Sequence, residues 1–216
     1  MVGVEGSHVT VTITVSGRHE ESCPPERCTV HMTVRFDGLI AADVSSAATA
    51  QTAELTRRVT ELGVTDHFVD QVRRSRHRPY SESGEQLPYV YTATSDVRVK
   101  FSEFDLIGPF VEAIVDLDGV EVGRFEWTLT DRTRHATVER IRDLAVQDAV
   151  AKATAYARSL SLSQVRPVAL ADPGLMQASM DAARTFAAMA KSADSVTVKP
   201  EDIIVSAEVH ARFEAS

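Results

Sequence analysis

The chain has 216 residues, of which 44% are hydrophobic and 25% are charged, and its formal net charge at pH 7 is −8. This composition is typical of a globular protein that buries its own core, so no disulfide or structural metal is needed to hold it together. The acidic balance argues against general affinity for nucleic acid, which needs a basic surface, and no apolar run approaches the roughly 20 residues of a membrane-spanning helix.

The first elements in the chain are predicted to be two strands. Residues 9–15 alternate valine or isoleucine with threonine, which is typical of a half-buried strand, and we expect Gly17 to end it. After a polar loop at 18–26, residues 28–36 alternate in the same way and predict a second strand. We expect the two strands to pair as a hairpin with a long connection.

Two cysteines, Cys23 and Cys28, flank a proline pair in this region. No second cysteine pair and no histidine cluster accompany them, so their spacing does not favour a zinc site. We expect Cys28 on the core face of the second strand and Cys23 in the loop before it. A local disulfide or a redox pair is the alternative.

A helix is predicted next, from about residue 40 to 62, because its apolar residues recur at helical spacing and Gly63 suits the position after a helix end. Residues 66–81 then predict an extended strand, and residues 89–101 predict a strand that returns after a turn at 83–85. Together these two strands would form a long hairpin with a polar tip.

A second helix and an aromatic strand follow. Residues 102–117 predict a short helix, with Ser102 as its N-cap and a kink or a late start at Gly108 and Pro109. Residues 125–129 alternate apolar and polar side chains, which predicts another strand.

The longest helical pattern covers residues 133–162, with Asp131 or Thr133 as its N-cap. Its apolar or small residues recur at steps of three or four, so they share one face. Alanine dominates the middle of that face and lets a sheet approach the helix axis closely. The residues of this face are Val138, Ile141, Ala145, Ala149, Ala153, Tyr156 and Leu160.

The last part of the chain predicts two more strands. Residues 165–170 form a short one, and residues 203–213 alternate over a longer stretch. Between them, residues 171–195 are rich in alanine, serine and methionine and predict a loop or a loosely held helix.

This order of strands and helices predicts an α+β fold with mixed, mostly antiparallel sheets, one long helix and two shorter ones. We expect residues 1–84 to form a β-β-α-β unit and residues 85–216 to form a ferredoxin-like β-α-β-α-β unit with a C-terminal strand. One continuous domain over 9–214 is the alternative.

Several local features recur in a definite order. The first half has a strand ending in glycine, a proline pair and a helix that runs into Leu-Gly-Val. The second half has a tyrosine-rich strand, a short helix before a glycine turn, an aromatic strand ending in aspartate, a helix with alanine at every fourth position, and Pro-Glu-Asp before a strand. The corresponding residues are 11–17, 24–25, 41–64, 89–101, 104–119, 125–131, Ala145, Ala149, Ala153, Ala157 and 200–213.

In this order the chain resembles the SIMPL-domain family, a bacterial family that was formerly a domain of unknown function. The resemblance implies a two-part α+β fold, a tendency to form homo-oligomers and no established catalytic residues. Many members are exported to the periplasm or the cell surface, whereas we expect no leader in this sequence. It also carries Ser161 and its neighbours where a glycine is usual after the long helix.

Four arginines stand close together in this otherwise acidic chain, namely Arg73, Arg74, Arg76 and Arg78. They indicate a contact site for an anion or a protein partner at the hairpin 70–90. Alternatively, they form an exposed arm whose charges discourage edge pairing or meet acidic residues of a neighbouring copy. Regular alternation would put Arg73 on one face and the other three on the opposite face, and this split argues against a nucleic-acid partner.

No other group of residues predicts chemistry. The seven histidines form neither an HExxH motif nor a close pair, and the chain lacks a nucleophile elbow, a P-loop and a dinucleotide fingerprint. We therefore expect no catalytic residue, no metal site and no cofactor.

The expected function is that of a non-enzymatic protein that assembles with itself, as a scaffold or in stress or envelope physiology. A small-ligand or anion-binding module that uses the arginine-rich hairpin is the alternative. The N-terminus alternates and lacks a signal peptide's apolar core, so we expect a cytoplasmic protein, or a periplasmic or cell-surface one if a leader was trimmed.

Overall fold

A computed structural model describes residues 10–64, 66–82, 85–173 and 200–216. Within them the chain has the predicted α+β composition, with one long helix and two shorter ones. The strands are β1 Val11–Cys23, β2 Arg27–Gly38, β3 His67–Val69, β4 Arg73–His77, β5 Val90–Phe101, β6 Val120–Thr128, β7 Val165–Ala171 and β8 Ile203–Ala215. The helices are α1 Ala41–Glu61, α2 Ile107–Ile114 and α3 Asp131–Ser159, and a 3₁₀ turn at Phe104–Leu106 precedes α2.

The described residues form two compact units. The three-stranded unit comprises residues 10–23, 130–173 and 202–216, and the five-stranded unit comprises the described residues between 24 and 129 together with 200–201. None of the helices in these residues combines the length and the apolarity that crossing a membrane requires.

The sheet of the three-stranded unit has the order β1-β8-β7, and its strands are antiparallel. β1 pairs with β8 along its whole length, from Val11 opposite Ala215 to Cys23 opposite Ile203. The predicted hairpin between the first two strands is therefore wrong. The partner of β1 is the C-terminal strand, whose equal length and matching alternation place both apolar faces against α3.

β1 also continues through Gly17, which does not end the strand as predicted, and reaches Cys23. Cys23 accordingly lies in β1 and not in a loop. Gly17 contacts the helix α3 at a point where a side chain would not fit. The glycine therefore allows this close approach and does not mark the end of the strand.

Helix α3 covers one face of this sheet with its alanine stripe, as predicted. Thr130 is its N-cap, in place of the predicted Asp131 or Thr133, because its hydroxyl accepts a hydrogen bond from the Thr133 backbone N–H at 3.3 Å. Tyr156 and Leu160, expected on the buried face, are 58% and 56% exposed. The buried positions are Thr137, Ile141, Ala145, Ala149, Ala153 and Ala157.

The sheet of the five-stranded unit has the order β3-β5-β2-β6, and β4 also pairs with β5. The predicted long strand 66–81 is thus two short strands, both antiparallel to β5. Helices α1 and α2 pack on one face of this sheet, around a core that includes Cys28, Val30, Val97, Phe101, Leu55, Val59, Phe110 and Ile114. The late start of the short helix, predicted from Gly108 and Pro109, is confirmed.

The predicted division into residues 1–84 and 85–216 does not follow these units. β2 and β5 pair from Cys28 opposite Phe101 to Gly38 opposite Tyr91, so a boundary between them would cut a sheet. β5 and β6 lie in one sheet while β7 and β8 lie in the other. The second half of the chain is consequently not one ferredoxin-like unit, and most of the predicted segment 171–195 lies outside the described residues.

Candidate functional site

The four predicted arginines lie on β4 and just after it. All residues from 73 to 80 are exposed, and we call this segment the arginine arm. The side chain at its end, Tyr80, is 89% exposed. A stretch of eight residues that buries none of its side chains gains little stability from hydrophobic burial within its own chain.

The pairing with β5 decides where each arginine points. Arg73 lies opposite Thr94 and forms an ion pair with Asp96. Arg76 and Arg78 lie on the other side, where both guanidinium groups stack on the ring of Tyr89, at 4.5 and 4.3 Å from its centroid. The split of the arginines over two faces follows the alternation predicted from the sequence.

The remaining contacts of the arm are few. The Arg78 guanidinium donates a hydrogen bond to the Gln86 side chain at 2.9 Å. Arg74 lies opposite Ala93 and makes no ion pair with the described residues. Because a guanidinium stays protonated and only donates hydrogen bonds, these groups can hold an anion but cannot exchange protons with a substrate.

The sheet face that bears Arg73 is polar, and we call it the polar face. Asp96 accepts a hydrogen bond from the Thr33 hydroxyl at 3.0 Å in addition to its ion pair with Arg73. His31 Nε2 lies 2.9 Å from Glu126 Oε2. The side chains that face solvent here are therefore tied to one another across neighbouring strands.

Asp37 occupies the end of this face next to the arm. The Arg35 guanidinium donates to it at 2.9 Å, and the Thr92 hydroxyl donates as well. These hydrogen bonds, the one from Arg35 above all, hold the pKa of Asp37 below its usual value. The positive field of nearby His77 acts in the same direction.

Sequence reasoning found the arginines but missed the two residues that fix them, Tyr89 and Asp96. The alternation of Tyr89 with Tyr91 predicts a place on the core face, whereas the ring lies under two arginines. The spacing of Arg76 and Arg78 could have identified Tyr89. Side chains two residues apart on a strand lie on the same face, so both arginines can share one aromatic neighbour.

The cysteines offer no second site. Both Cys23 and Cys28 are free and buried, and the position of Cys28 on the core face of β2 is as predicted. Burial raises the pKa of the Cys28 thiol to about 11. Among the described residues, no three His, Cys, Asp or Glu side chains come together as a metal site.

Comparison with known proteins gives one family. The profile of SIMPL, described as a "protein of unknown function (DUF541)", matches residues 13–213. No curated protein matches the chain. A solved structure described as "The crystal structure of AtUAH in complex with glyoxylate" is 14% identical over 58% of this chain and 34% of that chain, with a TM-score of 0.24.

Proposed function

The chain belongs to the SIMPL family, and from that premise we propose that it is a non-enzymatic protein that assembles with copies of itself through the arginine arm. The exposure of every residue from 73 to 80 carries this proposal. An arm that buries nothing of its own becomes ordered at a lower cost when another surface covers it.

The charge of the chain favours a second copy as that surface. The net charge is −8, although the arm carries four arginines. Residues 102–122 carry six carboxylates and no basic residue, and all six are exposed, namely Glu103, Asp105, Glu112, Asp116, Asp118 and Glu121. A basic arm and an acidic segment on the same chain are complementary between copies, which steers association and fixes its orientation.

The geometry of Arg76 and Arg78 supports a contact role. Two guanidinium groups stack on one tyrosine ring, and this contact restricts the positions of both side chains. Arginines held in this way lose less side-chain entropy on binding a carboxylate than free ones do. A protein of this kind would act as a scaffold. This role needs none of the acid–base or nucleophilic residue pairs that catalysis requires.

Light scattering coupled to gel filtration tests the proposal. The full chain should elute as an oligomer at micromolar concentration and dissociate between about 0.05 and 0.5 M salt, since screening weakens exposed charge pairs. The variant Arg74→Glu/Arg76→Glu/Arg78→Glu should be monomeric. The variant Arg132→Glu/Arg134→Glu/Arg142→Glu, which makes the same charge change on exposed positions of α3, should assemble normally. A strictly monomeric wild-type chain would overturn the proposal.

A second candidate is an anion-binding module, because the guanidinium donors of Arg76 and Arg78 also suit a phosphate or a carboxylate. Thermal unfolding in the presence of inorganic phosphate, nucleotides and acidic polymers separates the two. Stabilisation that disappears in Arg74→Ala/Arg76→Ala, with a monomeric wild type, supports the anion site. No shift with any of these additives excludes it.

A further inference from the structure

A cavity of about 370 Å³ opens on the polar face of the five-stranded unit, and none of its lining residues belongs to the arginine arm. Its lining comes from four strands at the same level of the sheet. Phe68 of β3 lies opposite Arg98 of β5, and Arg98 lies opposite His31 of β2. Asp70 and Asp96 line the cavity one step further along these strands. The volume is within the range of about 300–1,000 Å³ that is usual for small-molecule sites.

A β-bulge brings the fourth strand into this cavity. Gly123 and Arg124 of β6 together lie opposite the single residue His31, between two regular residue pairs. A side chain at Gly123 would place its Cβ 3.1 Å from the His31 carbonyl oxygen, a tight contact that glycine avoids. It places Arg124 beside Glu126, with 3.8 Å between Arg124 Nη2 and Glu126 Oε2. Bulges commonly aim a side chain at a site in this way.

Most charges in and beside the cavity are already matched. Asp96 is bound by Arg73 and Thr33, and Glu126 is shared between His31 and Arg124. Each of these carboxylates therefore has a cation or a hydrogen-bond donor in contact with it.

Two charges of opposite sign remain. The Arg98 guanidinium makes no ion pair with the described residues and stacks on the Phe68 ring, 4.4 Å from its centroid. The Asp70 carboxylate accepts a hydrogen bond from the Gln71 backbone N–H at 2.8 Å and has no cation within ion-pair distance among the described residues. Phe68 itself is 51% exposed and offers an apolar surface beside both charges.

We propose that this cavity binds a small zwitterion, an α-amino acid with an apolar side chain. Arg98, with Arg124 nearby, receives its carboxylate, Asp70 receives its ammonium group, and the exposed part of Phe68 contacts its side chain. The lining carries Arg98 and Arg124 against Asp70 and Asp96. A simple anion would meet two carboxylates and a simple cation two arginines, so only a ligand with both charges is matched at both ends.

Calorimetric titration of the full chain with L-leucine tests this site. 4-Methylpentanoate, which is leucine without its ammonium group, and isoamylamine, which is leucine without its carboxylate, serve as matched probes. Leucine should bind at millimolar concentration or more tightly, and each half-ligand should bind at least tenfold more weakly.

Two variants locate the binding. Arg98→Gln and Asp70→Asn should each weaken leucine binding at least tenfold, whereas Arg134→Gln and Asp143→Asn on α3, which remove the same charges from exposed positions, should leave it unchanged. Circular dichroism melting checks that all four variants are folded. Absence of leucine binding to the wild type, equal binding of 4-methylpentanoate, or binding that survives both Arg98→Gln and Asp70→Asn overturns the proposal. Because the arginine arm is untouched, oligomer mass measured in the same samples tests the assembly separately.

Discussion

Gly17 of β1 lies so close to α3 that a Cβ atom built on it would be 2.0 Å from the carbonyl oxygen of Ala145. The same atom would be 2.7 Å from the backbone nitrogen of Ala149. Both neighbours are main-chain atoms, which no change of rotamer can move. The strand and the helix of the three-stranded unit are therefore held at a separation that only glycine against alanine allows.

Replacing Gly17 by alanine should destabilise the protein by about 1–3 kcal/mol, the usual cost of overpacking a rigid contact. The matched control is Gly108→Ala. A Cβ at Gly108 would meet nothing within 4 Å, so this change should stabilise α2 by up to about 1 kcal/mol. Urea unfolding of the two variants measures the difference, and a Gly17→Ala protein as stable as the wild type would show that the helix can move away.

The same contact shows how far the sequence predicts this fold. The alternation in β1 and the alanine spacing in α3 are local, and they predicted both elements and most of their buried faces. The prediction for Gly17 was wrong because an isolated glycine in a strand is typical either of a break or of a close backbone approach, and only the packed helix decides between them. The pairing of β1 with β8 joins the two ends of the chain, whereas β2 offered an equally good alternation next in sequence.

In the candidate site, too, local patterns were predicted from the sequence and contacts between distant strands were not. Alternation on β4 was enough to place Arg73 and Arg76 on opposite faces. Their partners Asp96 and Tyr89 lie on the returning strand, so finding them requires the register of the hairpin. The cavity around Arg98 depends on the order of four strands and on the bulge at Gly123, and neither leaves a local pattern in the sequence.

Asp148 of α3 protects an edge of the three-stranded sheet. Its carboxylate accepts the Arg18 backbone N–H at 2.9 Å, and Lys152, which contacts Asp148 at 2.6 Å, donates to the Ser16 carbonyl at 2.9 Å. The ion pair thus occupies backbone groups of β1 that would otherwise be open to another strand.

We expect Asp148→Ala to lower the free energy of unfolding at pH 7 by about 0.5–1 kcal/mol, the lower part of the range for a hydrogen bond because the carboxylate is partly exposed. The Lys152 ammonium and then the Arg18 N–H hold the pKa of Asp148 below 3.8. The stabilisation is therefore present above pH 3.8 and is lost as the pH falls further. Asp143→Ala, an exposed position on the same helix, is the control. An equal effect of both changes across pH would contradict this role.

Glu54 makes the stability of α1 depend on pH. Its two carboxylate oxygens accept hydrogen bonds from Arg57 at 2.7 and 2.9 Å and from Arg58 at 3.0 Å. Arg57 first and Arg58 second lower the pKa of Glu54 from 4.5 to about 2. A carboxyl group with a lowered pKa stabilises the folded state above pH 4.5, and this stabilisation is lost as the pH falls towards 2.

The variant Glu54→Gln should therefore melt below the wild type at pH 7, and the difference in melting temperature should shrink between pH 4.5 and about 2. Glu139→Gln, at an exposed position of α3, should melt like the wild type throughout. Melting curves followed by circular dichroism at a series of pH values provide the measurement. A gap between Glu54→Gln and wild type that is constant across this range would rule out the pairing as its source.

Cys28 should be unreactive in the folded protein. Burial raises the pKa of its thiol from 9.0 to about 11, so the reactive thiolate is about a hundredfold rarer than for a free cysteine at pH 8. In Cys23→Ala, which leaves Cys28 as the only thiol, Ellman's reagent should react at least a hundredfold more slowly under native conditions than in guanidinium chloride. Similar rates in the two conditions would mean that β2 opens readily.

The raised pKa of Cys28 also affects stability. The neutral thiol stabilises the fold below pH 9, and this contribution is lost towards pH 11.

Ser161 ends α3 in a conformation that suits glycine. Its φ is 60°, a left-handed value that costs a residue with a Cβ about 1 kcal/mol or more. The backbone N–H of Ser161 donates to the Arg158 carbonyl at 3.0 Å, and that of Leu162 donates to the Ala157 carbonyl at 2.9 Å. These two hydrogen bonds form a Schellman motif, in which the residue after the C-cap is usually glycine.

Ser161→Gly should therefore raise the free energy of unfolding by about 0.5–1 kcal/mol, because it removes the strain while both hydrogen bonds remain. The matched control is Ser159→Gly, two residues earlier in the last helical turn. There the backbone is helical, and the added freedom of glycine in the unfolded chain should cost about 0.5 kcal/mol. The same substitution is thus expected to act with opposite signs at two serines of one helix end. Urea unfolding of both variants decides the matter, since a loss of stability in Ser161→Gly would mean that the serine side chain contributes more than its backbone strain costs.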